Sequence, residues 1–135
     1  MIYLLDTNAL SDLARKRPSF ETRMSEAVGA ADVHTCVIAV GEILQGIERL
    51  PAGRKRDALH NQVRTILSTI PCEPVPITAA VIYATIKTQR QTAGRPMDAN
   101  DLWIAATALA LGAVLVSHDA DFSDIPGLTV EDWIA

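Results

Sequence analysis

Short apolar runs rich in β-branched residues alternate along this chain with longer stretches of helical periodicity, and that alternation restricts the fold most. Ile2 to Leu5 reads as a strand, Asn8 to Arg15 as a short helix and Phe20 to Gly29 as a second helix closed by glycine. "DVHTCVI" is β-rich, "AVGEILQGIERL" turns helical, and a longer helix follows from Pro51 to about Ile70. "PCEPVPI" leaves room for a brief strand around Val75, because proline is confined to edges and ends of sheets. Helices then cover Thr78 to Thr92 and Asp98 to Leu111, the latter closed by Gly112, before the strands "AVLVS" and "GLTVEDW". Strands separated by helices pair in parallel, so the pattern predicts an α/β fold with helices on both faces of one sheet. The 135 residues suit a single domain spanning 1–135.

Composition narrows the class. At 49% apolar and 21% charged residues the chain is globular rather than disordered. The longest apolar run, Leu102 to Val116, is too short for a membrane span and is interrupted by glycine. No charged and apolar leader opens the chain, so a cytoplasmic location is expected. Cys36 and Cys72 show no metal-type spacing and are expected as buried free thiols in a reducing compartment.

Charge is distributed unevenly. All 12 Lys and Arg lie at or before Arg95, whereas the stretch beyond it carries Asp98, Asp101, Asp119, Asp121, Asp124, Glu131 and Asp132 with no Lys or Arg. The patches Arg15-Lys16-Arg17 and Arg54-Lys55-Arg56 suit either an anionic polymer or plain solvated helix surface.

Several acids resist a purely structural explanation. In a parallel α/β sheet ligands bind beyond the carboxyl ends of the strands. Asp6 follows the first strand directly, although Asp6-Thr7-Asn8 is also what a helix N-cap looks like, worth about 1 kcal/mol. Asp119 lies three residues past Val116 and belongs at the same rim. Asp121 and Asp124 read as turn and cap residues. Asp98 is a good N-cap, whereas Asp101 begins an apolar, buried helix and needs a partner there. By periodicity Glu42 falls opposite Val40, Ile43, Leu44 and Ile47, which makes a solvated glutamate the default; Gly46 would let another element approach that face. His34 is expected to pack in its strand, His60 to lie on a helix surface, and His118 to be a rim residue without a defined partner.

The segments "LLDTNALSDL", "GEILQG", "NDLWIAATALALGAVLVSHDADF" and "PGLTVEDW", in this order over nearly the whole chain, resemble the PIN-domain ribonucleases, and among them the VapC-type toxins of bacterial toxin–antitoxin pairs. The resemblance implies a three-layer sandwich with a central parallel sheet of four to five short strands flanked by helices. It places the acidic catalytic and metal-ligating cluster on Asp6, Glu42, Asp101 and Asp119, with Thr7 and Asn8 positioning the substrate. It also implies a homodimer and a cognate antitoxin whose flexible segment fills an apolar groove and brings an arginine to the pocket. The Pro51–Ile70 and Phe20–Gly29 helices are the expected groove walls. Asp98, Ala39, Cys36 and His118 depart from the family pattern, where a small residue, threonine, serine and arginine are common.

Four carboxylates in one cleft repel one another and need a cation. Oxygen-only ligands favour Mg²⁺, with Mn²⁺ as a substitute. The implied activity is metal-dependent endonucleolytic hydrolysis of RNA, with Arg15, Lys16, Arg17, Arg54, Lys55 and Arg56 as expected contacts to the phosphate backbone. Two other classes share part of this pattern. A receiver-like signalling module also clusters acids around Mg²⁺, but wants a lysine at a late strand end, and none is present. A silent partner-binding domain would have no use for all four acids.

Overall fold

The computed structural model describes residues 1–28 and 32–134. Five parallel strands form its sheet: β1 (Ile2–Leu5), β2 (Asp32–Cys36), β3 (Cys72–Glu73), β4 (Val114–Val116) and β5 (Val130–Glu131), in the order β3-β2-β1-β4-β5. Helices α1 (Thr7–Ala14) and α2 (Pro18–Val28) connect β1 to β2, α3 (Val37–Glu48) and α4 (Arg54–Leu67) connect β2 to β3, and α5 (Ala79–Thr92) and α6 (Ala99–Leu111) connect β3 to β4. The α/β class and the central parallel sheet agree with expectation. The order differs from the 2-1-3-4-5 arrangement of receiver domains, which removes that alternative.

Alternation along β1 builds the three layers. Leu4 and Leu5 are both fully buried but point to opposite faces. Leu4 joins Leu115, Ala39, Ile86, Leu102 and Ala105 in a core beneath α3, α5 and α6. Leu5 joins Val33, Val116, Ala9, Phe20 and Trp133 in a core beneath α1 and α2, closed by Ile66 of α4. The Trp133 ring tilts against Tyr3 and Phe20, each at 5.2 Å between centroids, so the last residues lock onto the first strand.

Differences from the sequence reading have local causes. The third strand is Cys72–Glu73 rather than a run around Val75, because Pro74 and Pro76 deny Val75 the ladder. Helix α4 is shorter than Pro51–Ile70, and α2 starts at Pro18, a residue whose fixed φ suits a first helical turn. The expected cap at Gly29 falls outside the described residues. Gly112 closes α6 with φ 64°, as its position predicts. Cys36 is buried and its thiol is pushed up to about 11 by desolvation. Cys72, expected to be buried, is exposed, because its two-residue strand forms the sheet edge.

Leu115 lies at the centre of one core with no solvent exposure. Leu115→Ala should lower the unfolding free energy by about 2–5 kcal/mol in urea titrations.

Candidate metal centre

The chain leaves β1 toward β2 on one side and returns to β4 on the other, so the loops after β1 and β4 part at a topological switch point. The Asp6 amide donates to the Val116 carbonyl at 3.2 Å, which sets Asp6 beside Ser117 at the carboxyl rim. Asp6 is only 3% exposed. Its Oδ1 accepts from the Ala9 amide at 2.8 Å, so the residue caps α1 as well as facing the rim. Burial pushes its carboxyl up to about 6, against the opposing pull of the Ser117 hydroxyl, the Ala9 amide and the His118 charge.

Asp119 arrives from the other strand. Its amide donates to Ser117 Oγ at 3.0 Å, and its Oδ1 accepts from the Asp121 amide at 2.9 Å, starting the 3-10 turn Ala120–Phe122. Buried Phe122 and Ile125 anchor that turn from below. Asp124 fixes its far side, held by Arg90 of α5 and by Arg95 at 2.6 Å each, and the two guanidinium groups hold its carboxyl below the usual range.

Asp101 stands in the first turn of α6, just above the buried stretch from Leu102 to Ala108. Asp98 caps that helix through the Asn100 amide at 3.1 Å. The Asp101 carboxyl is pushed up to about 6, first by burial and then by the charges of Asp119, Asp98, Glu42 and Asp6. This mutual repulsion places the four expected acids and Asp98 in one electrostatic neighbourhood.

Glu42 departs from the default drawn from periodicity. It is half-buried, and the Thr7 hydroxyl donates to its Oε1 at 2.6 Å, tying α3 to the start of α1. Among the described residues Gly46 admits no other element, since a side-chain carbon there would meet nothing within 4 Å.

Among the described residues, carboxylate oxygens of Asp101, Asp119 and Asp121 all lie within 4.8 Å of one another. Asp121, read from the sequence as a turn residue, therefore joins the cluster, and its two-residue spacing from Asp119 was the available signal. The expected ligands Asp6 and Glu42 are not part of this group: each is committed to a hydrogen bond with α1, and it is their charges that reach Asp101. An all-oxygen donor set in which the Asp101 carboxyl is pushed up by burial and by its acidic neighbours fits a hard divalent cation. Asp12 was also missed: it is 5% exposed, 3.3 Å from Arg17 and 3.4 Å from His118, so His118 does have a partner.

The basic residues divide. Arg17 is engaged with Asp12, and Arg56 with Glu48, which His60 also approaches at 3.1 Å. His34 lies 2.6 Å from Glu73 on the neighbouring strand. Arg15, by contrast, lines a cleft of about 290 Å³ with Thr7, Ser11, Ile43, Ile47 and Leu59, between α1, α3 and α4. Helix α2 does not line that cleft; its Arg23, Glu26 and Ala27 line a separate one with Tyr3, Glu131 and Trp133.

Residues 3–128 match the family described as PIN domain, and the chain belongs to it. It is 32% identical to "Ribonuclease VapC1" of Haemophilus influenzae, the alignment covering 98% of each chain. It is 31% identical to "Toxin FitB" of Neisseria gonorrhoeae over 86% of each. The structure of VapBC-1 from nontypeable Haemophilus influenzae superposes with a TM-score of 0.88 at 27% identity, covering all of both chains. No described helix is long and apolar enough to cross a membrane.

Raised carboxyls give stability a defined pH dependence. Asp6 and Asp101 bind protons more tightly folded than unfolded, so in metal-free protein their contribution is greatest below pH 4 and is lost as pH rises to about 6. Melting temperatures taken in EDTA from pH 4 to 7 should therefore fall less steeply for Asp101→Asn than for the parent. Parallel curves would contradict this assignment.

Proposed function

We propose that this chain is the endoribonuclease toxin of a toxin–antitoxin pair, and that it hydrolyses RNA phosphodiester bonds with Mg²⁺, or Mn²⁺ in its place, held by the acidic pocket. The observation that carries the reading is the group of carboxylate oxygens from Asp101, Asp119 and Asp121 at the switch point of a PIN-family sheet, with the charges of Asp6 and Glu42 acting on Asp101. The ion supplies charge neutralisation and Lewis acidity toward a phosphoryl oxygen.

The protein groups do the rest. Asp6, Glu42, Asp101 and Asp119 are the proposed ligands and catalytic residues, with Asp121 as an added ligand. Asp119 also orients the attacking water. Thr7 fixes the Glu42 carboxylate through its 2.6 Å hydrogen bond, and Asn8, next on α1, positions the phosphate. Arg15, Lys16, Arg54 and Lys55 hold the RNA backbone from outside. Arg17 and Arg56 contribute less, being engaged in ion pairs within the chain.

The α1–α3–α4 cleft is the proposed seat of the antitoxin. Its apolar wall runs from Leu50 and Leu59 to Thr7, so a segment lying in it ends against the Glu42 carboxylate, where an arginine side chain would be welcome. A second copy of the chain would cover Ile77 and Val81, which are 94% and 73% exposed at the start of α5. The protein acts on RNA in the cytoplasm.

Asp6→Asn and Asp101→Asn should each reduce cleavage of total RNA to background while keeping the fold, as excess EDTA does for the parent. Full activity in either variant or in EDTA would defeat the reading. Thr7→Val should reduce the rate about 10–100-fold, the usual effect of removing a group that orients a metal ligand. Ile77→Lys with Val81→Lys should shift the protein to a monomer in sedimentation velocity.

A further inference from the structure

A second cleft, of about 450 Å³, is lined by Val37, Ile38, Gly41, Glu42, Gln45 and Asn100. We propose that it is a subsite for one nucleobase of the RNA, next to the phosphate being cut, and that Gln45 and Asn100 read its edge. The proposal rests on the nuclease reading and adds to it a base preference.

Three observations carry it. The first is the shape of α3. Val37, Gly41 and Gln45 follow one another at four-residue intervals and form one stripe of the helix. Glycine within a helix is destabilising relative to alanine. Among the described residues nothing requires it at position 41, since a side-chain carbon there would meet nothing within 4 Å. The bare backbone leaves a flat shelf, bordered by Val37, which is 45% exposed.

The second is the chemistry of the rim. Among the described residues, the Gln45 and Asn100 side chains have no hydrogen-bond partner; Asn100 meets Asp98 through its backbone amide. An amide offers a donor and an acceptor side by side, the pattern that matches a base edge. The third is charge. The lining contains the Glu42 carboxylate and no Lys or Arg, which disfavours a phosphate and favours a neutral, planar, hydrogen-bonding group. Asn100 precedes Asp101 and Gln45 lies one turn after Glu42, so a base held here sits beside the proposed ligands.

Fluorescence anisotropy tests this with Asp6→Asn protein in Mn²⁺, using short single-stranded RNAs made of A, C, G or U alone. The protein should prefer one base by about tenfold. Gln45→Ala and Asn100→Ala should level the four affinities. Gly41→Ala should melt at a higher temperature than its parent, and Gly41→Leu should weaken RNA binding about tenfold with Mn²⁺ affinity unchanged. Unchanged base preference and unchanged binding in these variants would overturn the proposal while leaving the nuclease reading in place. A change of sedimentation coefficient in Gly41→Leu would also overturn it, by assigning the shelf to a second copy. Failure of the unsubstituted chain to bind or cut any RNA would remove the nuclease reading, and the subsite with it.

Discussion

Repulsion among carboxylates at the switch point is the interaction on which the architecture turns. Asp101 is raised to about 6 by burial and by the charges of Asp119, Asp98, Glu42 and Asp6 together. Those residues come from four separate parts of the chain, and no Lys or Arg follows Arg95 to offset them. A protein holding such a group gives up stability in that pocket, and a divalent cation bound there would return it.

The fold tolerates the arrangement by giving several acids a second, structural partner. Asp6 receives the Ala9 amide, Glu42 the Thr7 hydroxyl and Asp119 the Asp121 amide. Each bond also fixes the direction of a carboxylate that would otherwise swing away from its neighbours. Behind them stand rigid supports: the doubly covered strand β1, the buried helix α6, and the 3-10 turn held by Phe122 and by Asp124 between Arg90 and Arg95. Helix α3 lines both clefts, one through Gly41, Glu42 and Gln45 and the other through Ile43, Gly46 and Ile47, which places it between the proposed antitoxin seat and the proposed base subsite.

The sheet and its order of elements were legible because both faces are covered: strands buried on two sides must be short, apolar and separated by helices. Asp6 and Asp119 were legible at the rim because Asp6 follows one apolar run directly and Asp119 lies three residues past the end of another. Glu42 was not, since periodicity reports which face of α3 meets the core and says nothing about a hydroxyl contributed by Thr7 from another helix. Asp121 and Asp12 were hidden for a related reason, as local turn and helix patterns explain both until distant residues are brought beside them. The resemblance to PIN-domain ribonucleases supplied what periodicity lacked for Glu42. The edge position of Cys72 and the truncated third strand depended on where Pro74 and Pro76 broke the ladder.

The most direct test is a crystal of the protein grown with Mn²⁺ and measured for anomalous scattering at the manganese edge. The account predicts a peak about 2.1 Å from oxygens of Asp101 and of at least one of Asp6, Asp119 and Asp121. Saturating Mn²⁺ with no peak in that pocket, or a peak bound only at the surface, would contradict it.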